Sequence, residues 1–216
     1  MIIVRPNEIA EAYRQTLDYL VAPGAIKSSL RFFKSGTAED YFFDVDYLLN
    51  DPVSCETVVR LYVDQIQKIL RHHRVDFLAF IEKPTGGPKP SGGTVGAIRL
   101  AGAISIYSGV PNVIIRLVKN QPCDKIKVPY DFGKPQFEQL TGTNVILVTD
   151  HISKGREVFN SIDAIEANGG RVTDVVAFSV RDDLAPWKAL EQKTIQLHCI
   201  HRLTREKPER EALSLV

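Results

Sequence analysis

Five apolar runs of strand length are spaced along the chain, and stretches with helical periodicity separate most of them. The runs are VDFLAFI (75–81), NVIIRLV (112–118), NVILVTD (144–150), VTDVVAFSV (172–180) and TIQLHCIHRL (194–203). Strands that are covered by helices on both faces are apolar throughout and do not alternate with polar residues. The pattern therefore predicts an α/β fold with a mostly parallel central sheet flanked by helices.

Helix signals accompany these strands. Asp51-Pro52 is a typical helix start, and apolar residues then recur every three or four positions, which predicts one helix from Pro52 to about His73. His72-His73 would close this helix, where positive charge is favourable. TVGAIRLAGAISIYSG (94–109) predicts a helix of small residues that packs closely on the sheet.

The first 50 residues show a different pattern. Asn7 followed by EIAEAYRQTLDYLV predicts a capped amphipathic helix. Two extended segments, Ser29–Phe33 and Tyr41–Val45, are joined by the turn KSGTAED and predict a hairpin-like lobe. We therefore divide the chain into an N-terminal helix and lobe (1–50), an α/β core (51–204) and a charged tail (205–216), with the first part belonging to the same domain as the core.

Composition excludes several classes of protein. The 216 residues have a net charge of +1, which gives no broad field for binding nucleic acid. No apolar run reaches the ~18 residues of a membrane span, and the N-terminus is unlike a secretory signal, so we expect a soluble, cytoplasmic protein. Cys55, Cys123 and Cys199 form no CxxC pair, which favours free thiols over a disulfide or zinc site.

Polar residues follow the third apolar run directly. Asp150 stands at the predicted strand end, and the turn Ser153, Lys154, Gly155, Arg156 and Glu157 precedes a predicted helix. Ligands of open α/β sheets bind at the carboxyl ends of strands, and a helix N-terminus attracts anions. This stretch is a candidate phosphate site. Alternatively it is an ordinary strand-turn-helix in which Glu157 favours the helix N-terminus.

Two other loops are candidates for binding. In EKPTGGPKPSGG, either Thr85, Gly86 and Gly87 or the later Ser91–Gly93 would let the backbone approach a diphosphate, but a plain surface loop gives the same composition. GGTVG lacks the glycine spacing of a dinucleotide fingerprint, which disfavours a nicotinamide-dependent oxidoreductase. The linker 119–142 is long for a compact domain and indicates a functional segment.

Taken in order, these segments resemble the type I phosphoribosyltransferases, and within them the orotate phosphoribosyltransferases. Lys34-Ser35-Gly36 followed by Tyr41-Phe42-Phe43 is similar to the family's N-terminal hood. The Pro84–Gly87 loop resembles its pyrophosphate loop, Arg116 matches the first residue of its Arg-Lys segment, and Val145 to Glu157 resembles its phosphoribosyl-diphosphate motif.

The resemblance implies a role for each of these positions. Asp150 and Lys119 would be catalytic, with Thr149 and Asp150 at the ribose. The sugar donor of the family is phosphoribosyl diphosphate. Its 5′-phosphate would contact the turn Ser153, Lys154, Gly155, Arg156 and Glu157, and its pyrophosphate would contact Thr85, Gly86, Gly87 and Arg116. Lys34, Phe42, Phe43 and Arg181 would contact an orotate-like base. The resemblance further implies Mg²⁺, with unknown ligands, and a homodimer.

Departures from the family pattern leave a second function open. Thr149 replaces the first of two acidic residues, Glu157 replaces a small hydroxyl residue, and Leu117 follows Arg116 where the family has lysine. A carboxylate close to a phosphate is repulsive. The alternative is a protein of the same fold that binds a nucleotide or phosphoribosyl diphosphate as a sensor and transfers no sugar efficiently.

Overall fold

A computed structural model describes most of the α/β core and parts of the N-terminal region. The described residues are 26–27, 31–32, 38–39, 42–43, 49, 52–82, 95–116, 140–152, 154–181, 184–203. The predicted helix after Asn7 and the tail 205–216 lie outside these ranges. The division into three segments stays a prediction.

Four two-residue strands in the N-terminal region form two antiparallel pairs. They are β1 (Ile26–Lys27), β2 (Arg31–Phe32), β3 (Ala38–Glu39) and β4 (Phe42–Phe43). β1 pairs with β4, and β2 pairs with β3. The hairpin character is as predicted, but the pairing of 29–33 with 41–45 is wrong, since β3 lies inside the predicted turn. One hairpin is nested within the other.

The central sheet contains five strands, and all of its neighbouring pairs are parallel. They are β5 (Phe77–Glu82), β6 (Asn112–Arg116), β7 (Asn144–Ile152), β8 (Arg171–Arg181) and β9 (Gln196–Leu203), in the order β6-β5-β7-β8-β9. The predicted fold class and all five predicted strands are confirmed.

Four helices belong to the described part of the core. They are α1 (Pro52–Leu70), α2 (Val95–Ser108), α3 (Arg156–Ala167) and α4 (Leu184–Gln192). α1 begins at Pro52 as predicted but ends before His72-His73, whose amides both turn back to the Ile69 carbonyl at 2.9 and 3.3 Å. The histidines therefore follow the helix and do not belong to its last turn.

The sheet separates two apolar layers. On one face α1 and α2 pack against the strands through buried residues such as Tyr62, Ile66 and Ile104. On the other face Val158, Ile162 and Leu190 of α3 and α4 pack against β7 and β8, including Leu147 and Val175. Burial on both faces explains why these strands are continuous apolar runs.

Strand order places a topological switch point between β5 and β7. The chain runs from β5 to its neighbour β6 on one side, and then returns to place β7 on the other side of β5. The order of strands therefore proceeds in opposite directions from β5 and from β7, and ligands of open α/β sheets bind at such a switch point. Asp150 lies two residues beyond the Phe80–Val148 pair that joins these strands.

Candidate functional site

Asp150 is held at the end of β7 with one carboxylate oxygen engaged. Oδ1 accepts a hydrogen bond from the His151 backbone N–H at 2.7 Å and lies 3.5 Å from the Thr149 hydroxyl oxygen, at the limit of a hydrogen bond. Within the described part of the chain, Oδ2 has no hydrogen-bond donor. Because the residue is only half-buried, this oxygen is available to accept a hydrogen bond from a hydroxyl group of a ligand.

Gly155 makes the turn from β7 into α3. Its φ of 74° and ψ of −1° are left-handed, and it caps the helix without a side-chain hydrogen bond. A Cβ atom there would lie 2.9 Å from Cε2 of Phe159. Glycine is therefore needed both for backbone conformation and for space, and it brings the N-terminus of α3 beside the end of β7.

Charged side chains surround the start of α3. Lys154, Arg156 and Glu157 are all exposed. The first amides of a helix have no partner within it and carry partial positive charge. The helix N-terminus and the two cations suit an anion, whereas the Glu157 carboxylate opposes one. The structure thus places both the two cations and the opposing carboxylate at the start of α3.

Tyr62 of α1 lies beneath this strand end. Its hydroxyl donates a hydrogen bond to the Thr149 carbonyl at 2.7 Å, and the residue is completely buried. Burial raises the pKa of Tyr62 well above its usual value, and the nearby Asp150 carboxylate raises it further. The phenol therefore stays neutral and donates. The helical spacing identified Tyr62 only as part of the apolar face of α1.

His151 and Ser179 form a second contact across the strand ends. Nδ1 of His151 lies 2.8 Å from Oγ of Ser179, which is buried on β8. This contact gives His151 a hydrogen-bond partner on the adjacent strand. The partner is 28 positions away, so no local pattern indicates it.

Of the remaining predicted site residues, some lie on described strands and the others lie outside the described ranges. Arg116 and Arg181 are the last residues of β6 and β8, at the same sheet edge as Asp150. Phe42 and Phe43 form β4. The residues outside the described ranges are Lys34, Thr85, Gly86, Gly87, Lys119 and Ser153. The structure thus brings Thr149, Asp150 and the 154–157 turn together, with Arg181 at the end of the adjacent strand β8 and Arg116 two strands away on β6.

A buried carboxylate toward the other end of the sheet was missed. Asp174 of β8 is 1% exposed, and its two oxygens each lie 2.8 Å from a histidine Nε2, in His73 and His198. The signal was present in the sequence, because a carboxylate inside an apolar strand requires a partner.

The described ranges also bear on membrane-spanning helices, metal-binding clusters and the cysteines. No helix there is both long and apolar enough to cross a membrane. The same ranges contain no cluster of three or more His, Cys, Asp or Glu residues suited to a metal ion. Cys55 and Cys199 form no disulfide within the described ranges, and Cys123 lies outside them.

Comparison with known proteins gives relatives that are named orotate phosphoribosyltransferase. The orotate phosphoribosyltransferase of Methanopyrus kandleri is 27% identical over 183 residues, which are 85% of this chain and 85% of that protein. The crystal structure of the Aeropyrum pernix orotate phosphoribosyltransferase superposes with a TM-score of 0.62 at 18% identity, covering 86% of this chain and 92% of that one. In sequence the chain is thus similar to orotate phosphoribosyltransferases, and its fold is that of type I phosphoribosyltransferases.

A third comparison includes a ligand. The Mycobacterium tuberculosis orotate phosphoribosyltransferase, solved in complex with 5-phospho-α-D-ribosyl 1-diphosphate, superposes with a TM-score of 0.57 at 18% identity, covering 90% of this chain and 96% of that chain. No family model matches the sequence. The segment 145–157, which resembles the motif of the type I phosphoribosyltransferases, runs from β7 into the start of α3.

Proposed function

We propose that the protein transfers 5-phosphoribose from phosphoribosyl diphosphate to an orotate-like base and releases pyrophosphate. The observation that carries this proposal is the placement of Asp150 and the Gly155 turn together at the switch point between β5 and β7. A carboxylate oxygen for ribose hydroxyls and a helix N-terminus for the 5′-phosphate are adjacent there.

Sugar transfer exchanges one bond at C1 of the ribose for another. The bond from ribose C1 to the pyrophosphate oxygen breaks, and a bond from C1 to the base nitrogen forms. Positive charge develops on the ribose while negative charge builds on the pyrophosphate, so cations over the leaving group are the expected catalytic element. Lys119, Arg116 and the loop with Thr85, Gly86 and Gly87 are proposed on that side, whereas Ser153 and Lys154 are proposed at the 5′-phosphate.

We include Mg²⁺ in this proposal. Mg²⁺ is usually held by one or two carboxylates together with substrate phosphates, and Asp150 has one carboxylate oxygen without a donor in the described structure. Asp150 and the donor's diphosphate fit that requirement without a separate protein cage. When bound, the ion would neutralise charge on the diphosphate.

For the base, we propose Arg181 with Lys34, Phe42 and Phe43. The position of Arg181 at the end of β8, two strands from β5, supports a role at the same edge. A guanidinium suits bidentate binding of a carboxylate such as that of orotate. Arg181→Ala should weaken an acidic base far more than the sugar donor. Equal effects on both would remove the reason for naming orotate.

Pyrophosphate release tests the activity directly. The protein is incubated with phosphoribosyl diphosphate, Mg²⁺ and a panel of bases, and donor binding is titrated in parallel. Release that depends on orotate supports the proposal, and Asp150→Asn should abolish most of it. Donor binding without release from any base favours the sensor.

The sensor remains the second candidate because of particular residues. The buried hydroxyl of Thr149 stands where the family has an acidic residue, and Glu157 is exposed in the first turn of α3. Both changes weaken contacts to a phosphorylated ribose without removing Asp150. A sensor would bind nucleotide or donor and show no turnover.

We also propose a homodimer. α2 exposes two large hydrophobic side chains, Ile106 (79%) and Tyr107 (63%), and exposed apolar residues that lie together favour association. Light scattering should give twice the mass of the 24.2 kDa chain, and Ile106→Glu should lower it to that of a monomer.

A further inference from the structure

Tyr62 places a hydroxyl group in the apolar layer between the sheet and helices α1 and α2. It belongs to the apolar face of α1, is completely buried, and its ring lies 6.0 Å from that of Phe178 at 44°. A phenylalanine would fill the same volume. A buried hydroxyl is unfavourable unless it is hydrogen-bonded, so packing alone does not account for it.

The hydroxyl joins three elements at the sheet edge. It donates to the Thr149 carbonyl of β7 at 2.7 Å, and the Phe178 backbone of β8 also hydrogen-bonds to it. At this level Thr149 is aligned with Ala177, and His151 with Ser179. One side chain from α1 therefore connects the ends of β7 and β8.

The strand end fixed in this way carries the candidate ribose carboxylate. Asp150 follows Thr149 directly, and its Oδ1 is held by the His151 amide, so its direction depends on the backbone from 149 to 151. A small rotation of this backbone would redirect Oδ2.

We propose that Tyr62 is a positioning residue for the sugar site: its hydroxyl fixes the end of β7 and thereby aims the Asp150 carboxylate at the ribose of the donor. This inference rests on the proposed function. Without the hydroxyl, the buried Thr149 carbonyl loses the hydrogen bond from Tyr62, and the 149–151 backbone is less restrained while the core remains filled.

The test compares Tyr62→Phe with two matched variants in the full-length protein. Ile66→Val shortens a completely buried side chain one turn further along α1, and Thr141→Val removes a hydroxyl from an exposed position. Binding of phosphoribosyl diphosphate and of inorganic pyrophosphate, both with Mg²⁺, is measured by calorimetry. Amide hydrogen exchange is followed at His151 and Phe178.

Tyr62→Phe should raise the Kd of phosphoribosyl diphosphate by about five- to tenfold and leave that of pyrophosphate unchanged. Exchange at His151 and Phe178 should become faster, while both control variants behave like the wild type. Equal weakening of both ligands, or donor affinity equal to that of Ile66→Val, would overturn the inference.

The two proposals fail in different ways. If the wild-type protein binds no donor, the proposed function is wrong, and hydrogen exchange still decides whether Tyr62 fixes the strand ends. Unchanged exchange at His151 and Phe178 in Tyr62→Phe overturns the positioning role, whatever the donor affinity.

Discussion

The Nε2 atom of His198 lies 2.8 Å from Oδ1 of Asp174, inside the sheet and away from the candidate site. His73 makes the matching contact to Oδ2, also at 2.8 Å. An ionised carboxylate only accepts hydrogen bonds, so both histidines present a protonated Nε2 to it. Asp174 thereby ties the segment after α1 to the edge strand β9.

Replacing this carboxylate should destabilise the protein. Asp174→Asn substitutes an amide whose NH₂ group meets a histidine donor, so at least one buried hydrogen bond is lost. We expect a loss of about 2–4 kcal/mol in the free energy of unfolding, measured by urea denaturation at pH 7.

Asp163→Asn provides the control for that substitution. Asp163 is 66% exposed and pairs with Lys193 at 3.1 Å, so the same chemical change should cost under about 0.5 kcal/mol. Equal effects of the two variants would show that the Asp174 contacts contribute no more than a surface pair.

The stability of the wild-type protein should also depend on pH through Asp174. Burial raises the pKa of this carboxyl, but the hydrogen bonds that it accepts, chiefly the one from His198, together outweigh burial and hold the pKa below its usual value. The folded state thus binds the proton less readily than the unfolded state, whose pKa is about 3.9. The stabilisation is present above that value and is lost as the pH falls through the folded pKa.

Urea titrations of wild type and Asp174→Asn from pH 7 downward measure this dependence. The difference in unfolding free energy should be constant near neutrality and should shrink below about pH 4. If the difference in unfolding free energy between the two proteins stayed the same down to the lowest pH at which both fold, the pH dependence would not come from Asp174.

Gly155→Ala should damage the candidate site and the fold together. The new Cβ would meet Cε2 of Phe159 at 2.9 Å in a backbone with φ of 74°. We expect a loss of about 1–2 kcal/mol in stability from the left-handed conformation, and weaker donor binding, as seen by thermal denaturation and calorimetry.

Gly102→Ala is the matched glycine substitution. Gly102 lies within α2, and a Cβ there has no atom within 4 Å. Because alanine is the better helix former, this variant should gain about 0.5–1 kcal/mol and keep donor affinity. A loss of stability equal to that of Gly155→Ala would disprove the conformational argument.

Glu157→Gln should strengthen donor binding. The substitution removes an exposed carboxylate from the first turn of α3 with little change in shape, and so removes repulsion of the 5′-phosphate. We expect the Kd of phosphoribosyl diphosphate to fall about three- to tenfold at low ionic strength. Less helix-dipole stabilisation should cost about 0.3–1 kcal/mol in the free energy of unfolding.

Glu191→Gln, at an exposed position of α4, makes the same charge change elsewhere. Its donor affinity should equal that of the wild type. If Glu157→Gln binds donor no better than this control, Glu157 does not oppose the phosphate.

The sequence by itself determined the sheet, its parallel strands, the start of α1 at Pro52, and the Asp150 turn. These features rest on local properties: continuous apolar runs, helical spacing, and the polar residues at a strand end. The family resemblance came from the same local segments in order. The N-terminal lobe was less certain, since its pairing depends on register, and β3 formed within the expected turn.

Only the tertiary structure decided how the polar residues inside the core are paired. Spacing made Tyr62 one apolar residue among several in α1, but its hydroxyl partner is 87 positions away. Asp174 accepts from histidines 101 and 24 positions away. Periodicity reports which face of an element is buried, whereas a hydrogen bond depends on which distant backbone or side chain that face meets after folding.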